Sequence, residues 1–553
     1  MVNLQVWPVD PLEKVFKDAP PPERSDGRVE VDAVRNEHAT AQVAMRATED
    51  IEGVDVSASP FSNAGGERIG EESLDVRLVG HVPVQRNTPD TPPEELLREA
   101  PADFPDPLFE ETTFDLAADE TRSIWLTVRT PKDAAEGTYE GTVTVTGGGQ
   151  QAEQEVALTL HPVRLPDTQS LWLINYLTTD RVADYHGVRQ WSEEFWECLE
   201  SYAENMASHR QNVVNASLYG LVKFFRQEDG SLSFDFERFD RFVELFEDAG
   251  VVGRVSAGHL AGRPPKTYLD DEDAQEAQWN AEFESRPFAV RHPDGEVAYV
   301  QGTMKVSDPA FEEFLSNFLP SLQSHLEERG WLDAFLLDIA DEPVDANAQS
   351  YNRIGELVRT YSPEIETIEP NQTHDIAESL DVWVPLLSEF DENRAFYEDQ
   401  QREGDEVWHY TCLSPRGRYP NRFIDFSLVK VRILQWINFR YDLDGFLHWG
   451  YNHWTDDPFA DAEAEPNHTH PLPPGDPFVV YPGEDGPIDS LRWEATRDAV
   501  EDYELLRLAA EATDEETVRA VCEEAVQTPT DYVRDPEELR SIRNDVIRLI
   551  EES

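Results

Sequence analysis

Phe335-Leu336-Leu337-Asp338-Ile339-Ala340-Asp341-Glu342-Pro343 reads as a short apolar strand that runs into carboxylates. The run from Ala334 to Ile339 suits an extended chain, and Pro343, with no amide proton, stops sheet pairing. Asp341 and Glu342 then stand just past the carboxyl end of the strand. In a (β/α)8 barrel that is where active sites are assembled. Successive side chains on a strand point to opposite faces, so both acids reach one pocket only if the chain turns there. The alternative is an exposed loop that opens a helix with Asp-Glu-Pro.

Around this stretch, from Leu171 onward, strands alternate with helices. The pattern predicts strands at Leu171–Leu177, Asn212–Ser217, Gly253–Gly258, the opening stretch, Glu366–Glu369, Val382–Pro385, Glu406–Thr411 and Gly445–Gly450. A helix over Ser192–Ser208 is predicted from Phe195, Leu199, Tyr202 and Met206, which share one face. Phe239, Phe242, Val243 and Phe246 mark another, with Gly250 placed as its C-terminal cap. Further helices are predicted at Asp308–Arg329, Ile424–Tyr441 and Asp489–Ala510. Eight such repeats over roughly 340 residues fit a TIM barrel with long loops.

Residues 1–166 read differently. Short alternating runs, among them Ala41–Ala47, Ser123–Val128 and Gly137–Thr146, are separated by turn residues such as Gly147-Gly148-Gly149, which predicts a β-sandwich. A Pro-rich acidic insertion, Gln85–Glu111, is too long for a hairpin loop and is expected either to reach the next domain or to lie free on the surface. The expected architecture is thus multidomain β + α/β. An N-terminal β-sandwich (1–166) precedes a (β/α)8 TIM barrel (167–511) and a C-terminal helical extension (512–553).

Composition bounds the function. The 553 residues include 112 acids and 46 bases, a net charge of −66, spread along the whole chain. A hydrophobic fraction of 39% and 13 Trp exclude disorder as the cause. Such acidity is expected of a haloarchaeal or otherwise salt-exposed protein, because molar salt screens self-repulsion over about 3 Å. The same field disfavours nucleic acid and anionic membrane as partners. Three separated cysteines, Cys198, Cys412 and Cys522, predict no disulfide framework. With no signal pattern at the N-terminus and no long apolar run, a cytoplasmic location is expected.

The strand ends would present a lining suited to carbohydrate. It comprises Asn175, Asn215, His259, Arg263, Asp338, Asp341, Glu342, Glu369, Asn371, Trp408, Tyr410, Trp449, Tyr451, Asn452 and Trp454. Aromatic faces stack on sugar C–H surfaces, and amides, carboxylates and guanidinium groups bind hydroxyls. No phosphate loop follows a strand, and Gly-x-Ser-x-Gly is absent. His448, His453, His468 and His470 cluster in sequence without a helical His pair flanking a glutamate, so neither a metal nor another cofactor is expected.

Five stretches, Leu337–Pro343, Gly258–Arg263, Gly445–Trp454, Tyr481–Gly486 and Ser490–Glu504, resemble glycoside hydrolase family 123 and its uncharacterised relatives. The resemblance implies a β-sandwich followed by a TIM barrel, β-N-acetylgalactosaminidase activity, and an adjacent Asp-Glu catalytic pair, here Asp341 and Glu342. A two-acid retaining glycosidase needs carboxyls about 5–5.5 Å apart. The seventh strand, Val407-Trp408-His409-Tyr410-Thr411, offers no acid. The substrate's own 2-acetamido oxygen is therefore one expected nucleophile. Glu369, serving an ordinary two-acid enzyme on a neutral sugar, and a non-catalytic glycan-binding protein are the alternatives.

Overall fold

Alternating apolar side chains in the N-terminal part assemble two sheets. One runs Leu4–Val9, His38–Ala47, Thr121–Arg129, Leu74–Val84, Ala102–Phe109 in spatial order. The other runs Val29–Arg35, Gln150–Arg164, Gly137–Gly147, Ile51–Ala58, Thr113–Leu116. Ala41, Val43, Met45, Ile124 and Leu126 of the first share a core with Val54, Val56, Val143, Val145, Val156 and Leu158 of the second. This is the packing expected of a sandwich. The structure, a computed structural model, describes residues 4–23, 27–251, 253–264, 272–300, 304–464 and 471–553. His468 and His470 lie outside the described residues.

The chain divides into two units, Met1–Leu171 with Pro415–Asp442 and Gly450–Ser553, and Trp172–Ser414 with Leu443–Trp449. The first unit holds the sandwich and the helices Leu428–Tyr441, Leu491–Ala512, Glu515–Ala525 and Pro536–Glu551. The sequence pattern assigned the first two of these helices to the barrel domain and the last two to a separate extension. Helix Leu491–Ala512 is buried nearly all round, so its charges are paired. Arg492 meets Asp106 at 2.9 Å, Arg497 meets Glu494 at 2.9 Å, and Asp502 accepts from both Arg432 and Arg543 at 2.7 Å. The insertion Gln85–Glu111 is not a free loop. Its second half is strand Ala102–Phe109, paired with Leu74–Val84, and the Thr88 amide donates to Asp425 at 2.6 Å within the same unit.

The second unit is a parallel eight-stranded barrel. Its strands, first to eighth in the chain, are Trp172–Asn175, Val213–Ser217, Arg254–Gly258, Phe335–Asp338, Glu366–Asn371, Val382–Pro385, Glu406–Tyr410 and Gly445–His448. Backbone ladders join neighbours from the second strand round to the first by way of the eighth. Across the remaining seam, amide side chains take over. The Leu173, Asn175 and Leu177 N–H groups donate to Asn212, Gln211 and Asn215 at 2.9, 3.2 and 2.8 Å. Ile174, Val213, Leu336, Ile368, Val382, Val384, Trp408, Tyr410 and Leu447 fill the interior. Arg254 and Glu406 form a two-bond ion pair at 2.6 and 2.7 Å between the starts of the third and seventh strands, with Trp172 stacked on the guanidinium.

Helices Glu193–Ser208, Glu237–Ala249 and Pro309–Arg329 form as the periodicity predicts, and Gly250 caps the second at φ +105°. An inserted sheet was not anticipated. It orders Leu232–Asp235, Lys223–Arg226, Phe288–Arg291 and Val297–Val300, and Phe224, Phe288, Phe314 and Phe318 pack together beside it. Among the described residues, no helix is long and apolar enough to cross a membrane.

Candidate active site

The fourth strand ends at Asp338, and the chain turns four residues later. Glu342 takes φ +45°, in the left-handed region that side chains other than glycine rarely adopt. The turn expected at the acid pair is thus centred on Glu342. Its anchors are specific. The Leu260 and Ala261 N–H groups donate to the Asp338 and Ile339 carbonyls at 3.3 and 3.1 Å, which extends the third-to-fourth strand ladder past the strand end. Gly258 permits this approach, because a Cβ there would lie 2.3 Å from Asp338 Cβ. Beyond the turn, Asn347 Oδ1 accepts from the Val344 N–H at 2.8 Å, and the Gln372 N–H donates to the Pro343 carbonyl at 3.1 Å.

Around the pair, Tyr410 at the end of the seventh strand donates its hydroxyl proton to Glu342 Oε1 at 2.5 Å. Burial raises the Glu342 pKa, the Asp341 charge raises it further, and the bonds from Tyr410 and Gln372 pull it back. Asp341 is half-exposed, with Arg286 Nη2 at 3.7 Å. His259 stands beside these charges, and burial depresses its pKa to about 4, so its ring is neutral near pH 7. Deeper in the barrel, Asp338 is buried against the Ser256 hydroxyl at 2.9 Å, and desolvation lifts its carboxyl to about 7. Trp449 lies two residues beyond inward-facing Leu447 and is half-buried. Asn215 starts one wall, its Oδ1 taken by the Leu177 N–H.

Other anticipated residues have partners of their own. Asn175, Glu369 and Asn371 alternate with the interior residues Ile174 and Ile368 and so face the helix layer. Asn175 donates to Gln211 at 3.0 Å and Asn371 to the Tyr397 hydroxyl at 3.1 Å. Glu369 is fully buried, and its Oε2 accepts the Ala340 N–H at 2.9 Å. It braces the acid-bearing segment from behind. Trp408 is interior packing, its indole N–H bonded to Glu406 at 3.1 Å. Tyr451, Asn452 and Trp454 belong to the first unit. There Tyr451 sits edge-on to Trp493, Asn452 bridges to Phe478, and Trp454 donates to the Val480 carbonyl at 2.7 Å. Sequence reading missed Arg286 and Gln372. Gln372 directly follows the fifth strand, next to Asn371, and its exposed amide reaches both Glu342 and Tyr410.

Residues 176–509 match the profile of the glycoside hydrolase 123 catalytic domain, and residues 14–147 that of the glycoside hydrolase 123 N-terminal domain. The chain belongs to glycoside hydrolase family 123. It is a glycoside hydrolase, and the matched catalytic domain takes in the second to eighth barrel strands.

Among solved structures, a family 123 glycoside hydrolase from Clostridium perfringens, studied for glycolipid glycan hydrolysis, superposes with a TM-score of 0.75. The alignment has 16% identity and covers 99% of this chain and 97% of that one, so the two share a fold. A family 10 xylanase with a bacterial Ig-like domain, from termite gut, reaches a TM-score of only 0.32 at 10% identity, covering 69% of this chain and 90% of its own. No curated protein matches this chain.

Proposed function

We propose that this family 123 enzyme removes terminal β-linked N-acetylhexosamine, of the N-acetylgalactosamine type, by a substrate-assisted retaining mechanism. One observation carries the reading. The turn at Glu342 brings an acid pair to the barrel mouth, while the position across from it, at the end of the seventh strand, holds the Tyr410 hydroxyl instead of a carboxylate. Glu369, the other acid considered, faces the helix layer with one oxygen bound to the Ala340 amide. A nucleophile supplied by the substrate accounts for this arrangement.

Glu342, whose pKa burial and the Asp341 charge raise, gives its proton to the glycosidic oxygen as the C1–O bond breaks. The 2-acetamido carbonyl oxygen attacks C1 and forms an oxazolinium ion. Asp341 accepts the hydrogen bond of the acetamido N–H, and its charge offsets the developing cation. Arg286 Nη2 lies 3.7 Å from the Asp341 carboxylate. Water then attacks C1, Glu342 takes its proton, and the ring reopens with the β configuration retained.

The test is a panel of aryl glycosides with and without the 2-acetamido group, assayed with an N-acetylglycosamine-thiazoline that mimics the oxazolinium. The expected result is turnover only of the acetamido sugars, with inhibition by the thiazoline. Glu342→Gln should lose about 10²–10⁴-fold on poor leaving groups, the usual worth of general acid catalysis, while Glu369→Gln stays mild. Turnover of neutral glycosides without thiazoline inhibition, joined to a Glu369→Gln defect as deep as that of Glu342→Gln, would overturn the proposal.

A further inference from the structure

Arg263 was anticipated as a sugar-binding residue, but its guanidinium is turned onto the main chain. Nη1 donates to the Asp341 carbonyl and Nη2 to the Glu342 carbonyl, both at 2.5 Å. Nε donates to the Trp279 carbonyl at 3.1 Å, and the Trp279 ring lies 3.5 Å from the guanidinium carbon. The fork therefore spends its donors on backbone and has one face stacked. Two consecutive carbonyls bonded by one planar group must point the same way. In a strand they would point in opposite directions. The left-handed Glu342 supplies that geometry and is costly without a partner. Asn347 donates to the same Trp279 carbonyl at 3.2 Å, which ties the platform to the loop that follows the pair.

We infer that Arg263 is a positioning residue, a clamp that locks the Asp341–Glu342 reversal so that both carboxylates enter one pocket. The inference rests on the reading of this pair as catalytic. Lysine cannot replace the fork, since one ammonium on a flexible stem does not present two parallel donors. The positive charge beside Glu342 also helps set its acidity, for Arg263 lies among the groups that pull that carboxyl down.

The experiment uses the full-length enzyme with Arg263→Met and Arg263→Lys. Activity is followed against pH with a 2-acetamido disaccharide, a poor leaving group, alongside thermal melts and a crystal structure of Arg263→Met. Misplacing reacting groups by about 1 Å costs on the order of 10²-fold, so kcat should fall by about that factor in both variants with KM little changed. The alkaline limb of the kcat/KM profile should move to higher pH, and millimolar guanidinium should restore part of the Arg263→Met rate. In the crystal, Glu342 should leave positive φ. A defect confined to KM, with kcat and the pH limb untouched, would return Arg263 to sugar binding and overturn the inference. So would a Glu342 that keeps its left-handed backbone in Arg263→Met. The crystal arm does not depend on turnover, so an enzyme inactive on every acetamido glycoside would defeat the proposed function while leaving the clamp separately decided.

Discussion

Tyr410→Phe isolates one hydrogen bond at the centre of the site. The Tyr410 hydroxyl donates to Glu342 Oε1 at 2.5 Å. Such a donor favours the ionised carboxylate, so its loss must raise the Glu342 pKa. Hydrogen bonds to charged groups are worth about 1.5–3 kcal/mol, and one pKa unit corresponds to about 1.4 kcal/mol. The full effect would be about 1–2 units upward, with the lower end expected because the Gln372 amide still faces the carboxyl. In the proposed mechanism the protonated acid is the active form, so kcat/KM declines as pH rises through the free-enzyme pKa. The alkaline limb of Tyr410→Phe should then lie about one unit above that of the wild type. A disaccharide or other poor leaving group is the right substrate, because its departure requires the proton. An activated aryl glycoside run in parallel should show a smaller pH effect. A limb that stays in place or moves down would refute the assignment of Glu342 as the acid under Tyr410's control.

Other consequences are accessible to simpler measurements. Burial holds the Asp338 carboxyl up at about 7, whereas an unfolded aspartate ionises near about 3.9. The folded chain therefore keeps a proton that the unfolded chain releases, and this group's contribution to stability declines as pH rises from about 4 to about 7. Asp338→Asn should flatten that decline and raise the melting temperature at pH 8, and a lower one there would contradict the sign. Trp454 is buried with its indole N–H bonded to Val480, so Trp454→Ala should cost about 3–5 kcal/mol of stability in a denaturant titration. An unchanged titration midpoint would show it to be dispensable to the core. At a net charge of −66, dilution from molar salt to about 0.1 M lengthens the Debye length from about 3 to about 10 Å, and the melting temperature should fall. A flat response would remove self-repulsion as a factor.

What the sequence disclosed follows from the range of the interactions involved. The fourth barrel strand was readable because its signal is local, four apolar or acidic residues from Phe335 to Asp338 closed by carboxylates and a proline. Gly250 was readable as a helix cap for the same reason. The inserted sheet was not. Its strands span about four residues each, and the aromatic cluster that stabilises it draws Phe224, Phe288 and Phe314 from segments far apart in the chain. The aromatic lining was only partly legible. Trp449 directly follows its strand, whereas Trp408 sits mid-strand, where alternation and the bond to Glu406 commit it to the interior. Residue type alone cannot separate a ring that stacks on sugar from one that fills a barrel.

The hardest feature to read was the one that organises the site. Asp341 and Glu342 could be named as a pair from their position, and the need for a turn could be deduced from strand geometry. The means of making that turn could not, because its acceptors are backbone carbonyls, which every residue carries. Only the donor side has a residue signature, and an arginine near a barrel mouth reads first as a ligand for substrate. In the structure the Arg263 guanidinium makes two bonds to consecutive carbonyls and a third to Trp279. Side-chain charge placed against the main chain fixes where a carboxylate points without competing for substrate. It also explains how a strained backbone at Glu342 persists, since the fork at Arg263, the amide of Gln372 and the side chain of Asn347 hold the same loop from separate directions.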